Sequence, residues 1–127
     1  MILHQPEPPK DSGYTNTIWA TCYRPDGSQV LVAVGDRVFI YNAQTGQVVD
    51  QKRAHKGVVY ALAYSKDGQR WASGAADQVV IVWTSDGVGI LKYTHTAKIQ
   101  CLAFNPVLQS LASCSDNDFG LWQTEGQ

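Results

Sequence analysis

Apolar positions along the chain fall in short bursts, not on a helical stripe. IWATCY from Ile18 is followed by QVLVAV, RVFIY and VVDQK, each closed by a polar or glycine-bearing break. No ten-residue stretch carries apolar residues at a 3.6-residue spacing, whereas runs of 4 to 7 residues rich in Val, Ile, Tyr and Trp recur between turn signals. That pattern predicts consecutive β-hairpins. Asp26-Gly27 and Asp67-Gly68 are the strongest breaks, because glycine accepts the positive φ of a tight hairpin turn. Gly46 and Gly87 mark a later turn, after which VVDQK and GILKY read as fourth strands. The expected class is all-β.

The bursts repeat. Ile18 to Gly27 reads IWATCYRPDG and Val59 to Gly68 reads VYALAYSKDG, so Tyr23 and Tyr64 correspond 41 residues apart. A third copy, IQCLAFNP from Ile99 to Pro106, puts Phe104 in that place after a further 40 residues. Short apolar or small-residue runs follow at Val30 to Val34, Trp71 to Ala75 and Leu111 to Ser115. β-Rich runs then end at Tyr41, Trp83 and Trp122, 42 and 39 residues apart. A period near forty residues with four short strands per unit is the pattern of propeller blades.

The first strand of each unit alternates small residues with larger ones: Ala20 and Cys22, Ala61 and Ala63, Cys101 and Ala103. Small side chains suit the crowded strands nearest a propeller axis. The cysteines fit this scheme, since Cys22 and Cys101 fill slots held by Ala in sister units and Cys114 fills the slot of Gly74. They are expected as buried small thiols. Their odd number, without the close pairs of a zinc site, gives no expectation of a disulfide in a reducing compartment.

Bulk properties narrow the function. Of the 127 residues 44% are hydrophobic, enough for a packed core. Ten Lys and Arg against eleven Asp and Glu give a net charge of -1 with no long run of either sign, so no extended grip on nucleic-acid phosphates is expected. No apolar run approaches the roughly 20 residues of a membrane helix, and the N-terminus has Pro and charge where a signal peptide needs apolar residues. A cytoplasmic chain without direct membrane insertion is expected. Asp118-Phe119-Gly120 spells the metal-binding motif of protein kinases, but no HRD loop or VAIK lysine accompanies it. Gly87-Val88-Gly89 lacks the third glycine and the helix of a nucleotide loop and reads as a turn. His4, His55 and His95 form no ligand pattern, so no metal and no cofactor are expected.

These units resemble the WD40 family, whose repeats carry a Gly-His pair before the first strand and a Trp-Asp pair closing the third. Neither pair is intact here: His55 follows Ala54, His95 follows Thr94, Thr84 follows Trp83 and Gln123 follows Trp122. The spacing survives. The resemblance implies a partial propeller of antiparallel four-stranded blades: blade 1 at about 17–53, blade 2 at about 54–93, and blade 3 at about 94–124, lacking its last strand. It also implies a buried hydrogen-bonded tetrad, carried in blade 2 by His55, Ser73, Asp77 and Trp83. In blade 3 His95, Ser113 and Trp122 match, with Asp116 favoured over Asp118 for the acidic place. Blade 1 has Val32 and Tyr41 in the Ser and Trp places, keeps only Asp36, and is expected to lack the tetrad. Family members bind partners on the loop face at the start of the innermost strands, which singles out Trp19, Lys56, Tyr60, Lys98 and Gln100.

A narrower resemblance rests on Tyr60 to Gly68, GILKYTH from Gly89 to His95, IQC from Ile99, LASCS from Leu111 and DFGLW ending at Trp122. These phrases are similar to the N-terminal propellers of WD-repeat subunits of intraflagellar-transport complex A. The resemblance implies a non-catalytic protein–protein interaction scaffold, with other complex A subunits as partners. It also implies retrograde transport and cargo admission in a cilium or flagellum and at its base. The alternatives are another WD40 adaptor, of a coat or as a ubiquitin-ligase substrate receptor, and, remotely, a small hydrolase using Cys114 and His95. Residues 1–16, with Pro6, Pro8 and Pro9, read as an extended or disordered leader. Three blades cannot close a ring, so the isolated chain is expected to self-associate through open edges.

Overall fold

A computed structural model describes residues 17–124; the expected leader, 1–16, lies outside the described residues. Eleven strands run in chain order: β1 (Ile18–Tyr23), β2 (Gln29–Val34), β3 (Arg37–Asn42), β4 (Val48–Lys52), β5 (Val59–Tyr64), β6 (Arg70–Ala75), β7 (Val79–Thr84), β8 (Gly89–Thr94), β9 (Ile99–Phe104), β10 (Ser110–Ser115) and β11 (Phe119–Gln123). They form three antiparallel sheets, β1-β2-β3-β4, β5-β6-β7-β8 and β9-β10-β11, each a simple meander. The all-β array of three blades is therefore present, with three strands in the third. Tight turns make the meanders possible: Gly27 and Gly68 adopt φ of 76° and 73° after their aspartates.

The sheets stack side by side through their first strands, β1 beside β5 and β5 beside β9. One apolar cluster joins blade 1, through Leu31, Ala33, Val38 and Ile40, to Val59, Trp71, Ile81 and Trp83 of blade 2. A second joins Ala61, Ala63, Ala72, Val80 and Val82 of blade 2 to Ile99, Leu102 and Leu111 of blade 3. Neither face of a lone sheet buries itself, so each blade's apolar surface is removed from water by its neighbour. Polar ties reinforce the stack. The Val59 amide donates to the Gly35 carbonyl at 2.8 Å, Gln109 Nε2 donates to Asp67 at 2.8 Å, and the Tyr93 ring stacks on Trp122 of the next blade with centroids 4.3 Å apart.

Blade 2 presses close on blade 3 at a small position of its second strand, where β6 meets β9. A Cβ on Gly74 would lie 2.4 Å from Ile99 Cγ2, so the blade 2–blade 3 approach requires a residue with no side chain there. The buried-thiol expectation holds unevenly. Cys22 and Cys114 are half-buried and Cys101 is exposed. The correction at Cys101 has a simple cause. Ala61, its counterpart, is covered by blade 3, whereas nothing among the described residues covers the matching face of blade 3, where Phe119 and Leu121 are each 75% exposed.

Replacing Gly74 with Ala is expected to lower stability by about 1–3 kcal/mol through overpacking against Ile99. Ile99→Val in the same chain should recover part of that loss, read as the urea midpoint of the single and double variants. Additive losses would show that the two side chains do not meet.

Candidate functional site

Two features of the array have the geometry of a site: a polar chain inside blades 2 and 3, and a ridge on their loop face. In blade 2, β6 presents Ser73 inward, β7 carries Trp83 next to its end, the β6–β7 turn carries Asp77, and the segment before β5 brings in His55. Trp83 Nε1–H donates to Ser73 Oγ at 3.1 Å, and Ser73 Oγ lies 2.8 Å from His55 Nε2. His55 Nδ1 lies 3.1 and 3.2 Å from the two Asp77 oxygens. A carboxylate only accepts, so the proton sits on Nδ1, and Nε2 accepts from the serine hydroxyl. Asp77 also accepts the amides of Lys56 at 2.9 Å and Val79 at 3.2 Å, which pins the strand start and the turn together.

Blade 3 repeats the chain. Trp122 Nε1–H donates to Ser113 Oγ at 2.7 Å, and Ser113 Oγ lies 2.6 Å from His95 Nε2. The acid is Asp118, whose Oδ1 lies 2.9 Å from His95 Nδ1. Asp116, favoured from the sequence, is instead bonded to the Gln100 side chain. The turn that is one residue shorter rotates Asp116 toward the loop surface and leaves the inward place to Asp118. The Ser115 hydroxyl, which the sequence did not single out, bonds the same carboxylate. Blade 1 has no such chain: Val32 packs with Val30, Val34, Phe39 and Tyr41 in an apolar cluster. Asp36 there meets Arg37 at 4.0 Å and Arg53 at 3.8 Å.

Burial sets the electrostatics at His55 and hydrogen bonding sets them at Asp118. His55 has its pKa held below the ordinary 6.5, because desolvation outweighs the pull of Asp77. Asp118 is held below the usual carboxylate value mainly by the Ser115 hydroxyl, with His95 adding to it.

On the loop face, Trp19, Tyr60 and Gln100 share a feature that alternation alone does not reveal. Each is the extra residue at a break in register between a first strand and its partner: between Ile18 and Ala20, between Val59 and Ala61, and opposite the Cys114–Ser115 step that pairs with Cys101 and Ile99. Such a bulge turns a side chain away from the sheet's regular alternation. Trp19, 56% exposed, meets the half-buried Tyr60 edge to face with centroids 5.3 Å apart. Lys98 Nζ lies 5.6 Å from the centre of the Tyr60 ring, within cation–π range. Lys56 and Lys98 are both exposed. The ridge is thus an aromatic pair spanning two blades, with a cation from the third.

Residues 17–127 match a family model described as IFT122 first beta-propeller. The chain belongs to the IFT122 first-propeller family. It is 53% identical over 108 residues to intraflagellar transport protein 122 homolog of Danio rerio, covering 85% of this chain and 9% of that protein. It is 50% identical over 103 residues to the Homo sapiens homolog, covering 81% of this chain and 8% of that protein. This IFT122-type chain therefore spans less than a tenth of the length of those relatives. A solved structure of RRP9 WD40 repeats superimposes with a TM-score of 0.80 at 22% identity, over 90% of this chain and 37% of that one, a likeness of fold alone.

The family geometry leaves the hydrolase alternative without a site. Ser113 faces inward to His95, and Cys114, the next residue of β10, projects from the opposite face. The two candidate groups are not brought together. Among the described residues, no group of three or more His, Cys, Asp or Glu is placed to hold a metal ion. Among the same residues, no helix is long and apolar enough to cross a membrane.

Trp83→Phe is expected to cost about 1–3 kcal/mol, because Ser73 and His55 stay buried with one donor lost; an unchanged thermal midpoint would refute this. Asp118→Asn should lower the midpoint more than Asp116→Asn, in the same measurement. The unfolded chain takes up a proton at its ordinary histidine value while folded His55 resists it. The His55 contribution to stability is therefore present above pH 6.5 and is lost as pH falls below it. An NMR titration of the folded chain should place His55 below 6.5, and a value at or above that contradicts the burial argument.

Proposed function

We propose that the chain is a non-catalytic scaffold segment of an intraflagellar-transport complex A subunit. In this reading it serves retrograde ciliary transport and cargo admission, in the cytoplasm and at the cilium or flagellum and its base. Membership of the IFT122 first-propeller family is the observation that carries the proposal. The docking surface in this reading is the ridge of Trp19, Tyr60 and Gln100 with Lys56 and Lys98, and the partners are other complex A subunits.

Physical features favour that surface. Three equivalent bulges present side chains on one face, and bulges re-aim residues where a regular strand would keep them in the sheet. Trp and Tyr combine large contact area with little rotamer entropy to lose, which is why they dominate interface energetics. The His–Ser–Trp chains lie behind the ridge and act as its rigid support. Lys56 illustrates the link, since its own amide is held by Asp77 while its side chain is exposed. The apolar face of Phe119 and Leu121 supports a further proposal, that the isolated chain associates with copies of itself. Light scattering should then show species larger than a monomer.

Purified complex A subunits should bind the chain, and Trp19→Ala with Tyr60→Ala should weaken binding at least tenfold in calorimetric titration, the scale of a hot spot. Circular dichroism checks that the double variant keeps its strands. Equal affinity for both chains would move the docking surface elsewhere, and no binding to any subunit would remove the complex A reading.

A further inference from the structure

At the opposite end of the first strands from the ridge, the turns into the second strands stand side by side. In blades 1 and 2 these turns carry Asp-Gly at the tip, and the aspartate accepts the amide two residues on: Ser28 donates to Asp26 at 2.9 Å and Gln69 to Asp67 at 3.0 Å. Blade 3 abandons that device. Asn105, at the start of its turn, accepts the amides of Val107 at 2.8 Å and Leu108 at 2.9 Å, and its own amide donates to the Ser110 carbonyl at 2.9 Å. The turn is still held, but Pro106, Val107 and Leu108 now form its tip. Val and Leu have no local reason to stand in a turn, where Gly, Asn, Asp and Ser meet the needs of the backbone.

This tip forms one wall of a groove of about 370 Å³ between blades 2 and 3, and Ser65, Lys66 and Asp67 form the other. Both walls lie among the described residues. The matching groove between blades 1 and 2, of about 270 Å³, is open although blade 3 packs on the far side of blade 2. Lys66 and Asp67 hold in blade 2 the places of Pro106 and Val107, and both are exposed with a blade on either side. Access at this station therefore belongs to the turns and not to the flank of blade 3. The charges in the groove are unequal. Asp67 is satisfied internally, accepting Ser65 Oγ–H at 2.7 Å, the Gln69 amide at 3.0 Å and Gln109 Nε2–H at 2.8 Å. The Lys66 ammonium makes no ion pair among the described residues.

We propose that this groove is a second docking surface, and that its occupant is a short extended segment of another protein carrying an apolar side chain beside an acidic one. The apolar side chain lies against Pro106 and Val107, and the carboxylate pairs with Lys66 Nζ. Each wall selects one feature, so a segment that is apolar or acidic throughout satisfies only half of the groove. Asn105 fixes the turn before anything binds, so no loop has to be ordered on docking, which is a usual cost of binding through loops. The groove shares no residue with the ridge, so its failure would leave the ridge reading untouched.

The full 127-residue chain, immobilised, is used to select from a phage-displayed library of random heptapeptides after binders to the Val107→Asp chain have been removed. That substitution gives blade 3 the aspartate of its sister turns, so its thermal midpoint should lie within about 2–4 °C of the original, as for other surface changes. The selected peptides should carry Asp or Glu next to Leu, Ile, Val or Phe. In calorimetric titration a synthetic peptide of the selected sequence should bind Val107→Asp about tenfold more weakly than the unsubstituted chain, the scale of an apolar anchor. It should bind Lys66→Glu about threefold more weakly or worse, the scale of an exposed ion pair. Selection of no sequence that prefers the unsubstituted chain would overturn the proposal. So would selected peptides without an acid, or an affinity that Lys66→Glu leaves unchanged. A larger fall in the midpoint of Val107→Asp would make Val107 a packing residue and overturn it equally.

Discussion

Each blade depends on the next for one of its faces. A meander of four short strands has two faces and too little interior to bury either, so the apolar surface of blade 2 is divided between two separate clusters, one shared with each neighbour. The strands nearest the axis approach closest, and there the sequence has the least freedom. Gly74 has no side chain because Ile99 occupies its space. This contact, more than strand propensity, explains the glycine in the second strand of blade 2.

The polar chains solve a different problem. Packing sheet against sheet fixes their distance, but the turn after the second strand and the segment entering the first must also be held, beyond the bond from the Ala76 amide to the Val58 carbonyl at 2.8 Å. Asp77 does both at once, accepting the Lys56 and Val79 amides together with the hydrogen bond from His55 Nδ1–H. Each bond nets only about 0.5–1.5 kcal/mol, but together they specify how the loops leave the sheet. Blade 1 reaches the same strand order with Val32, Phe39 and Tyr41 packed in the same region. The chain is therefore a device for positioning loops and not a condition for forming the sheet.

That distinction accounts for what the sequence reveals. Strand limits were legible because apolar runs and Asp-Gly turns are local signals, and the threefold repeat because its period is written in aromatic termini. The acid of blade 3 was not, since counting back from Trp122 cannot tell which of Asp116 and Asp118 faces inward once a turn loses a residue. Only the path of that turn decides, and it gives Asp116 to Gln100 and Asp118 to His95. The bulges at Trp19, Tyr60 and Gln100 were equally silent. Their sequence equivalence was visible, but a bulge is a property of pairing and two strands must be seen together. Exposure of Cys101 was missed for a related reason: its slot was read by analogy with Ala61, whose cover comes from the following blade.

Blade interfaces also trade volume between positions. The first interface sets Ala33 and Val59 in one cluster, both buried; the second sets Gly74 against Ile99. One methyl's worth of bulk moves from the second strand of one blade to the first strand of the next, and the total stays nearly constant, as close packing requires. Cys114 at the third such station shifts the balance further toward the second strand.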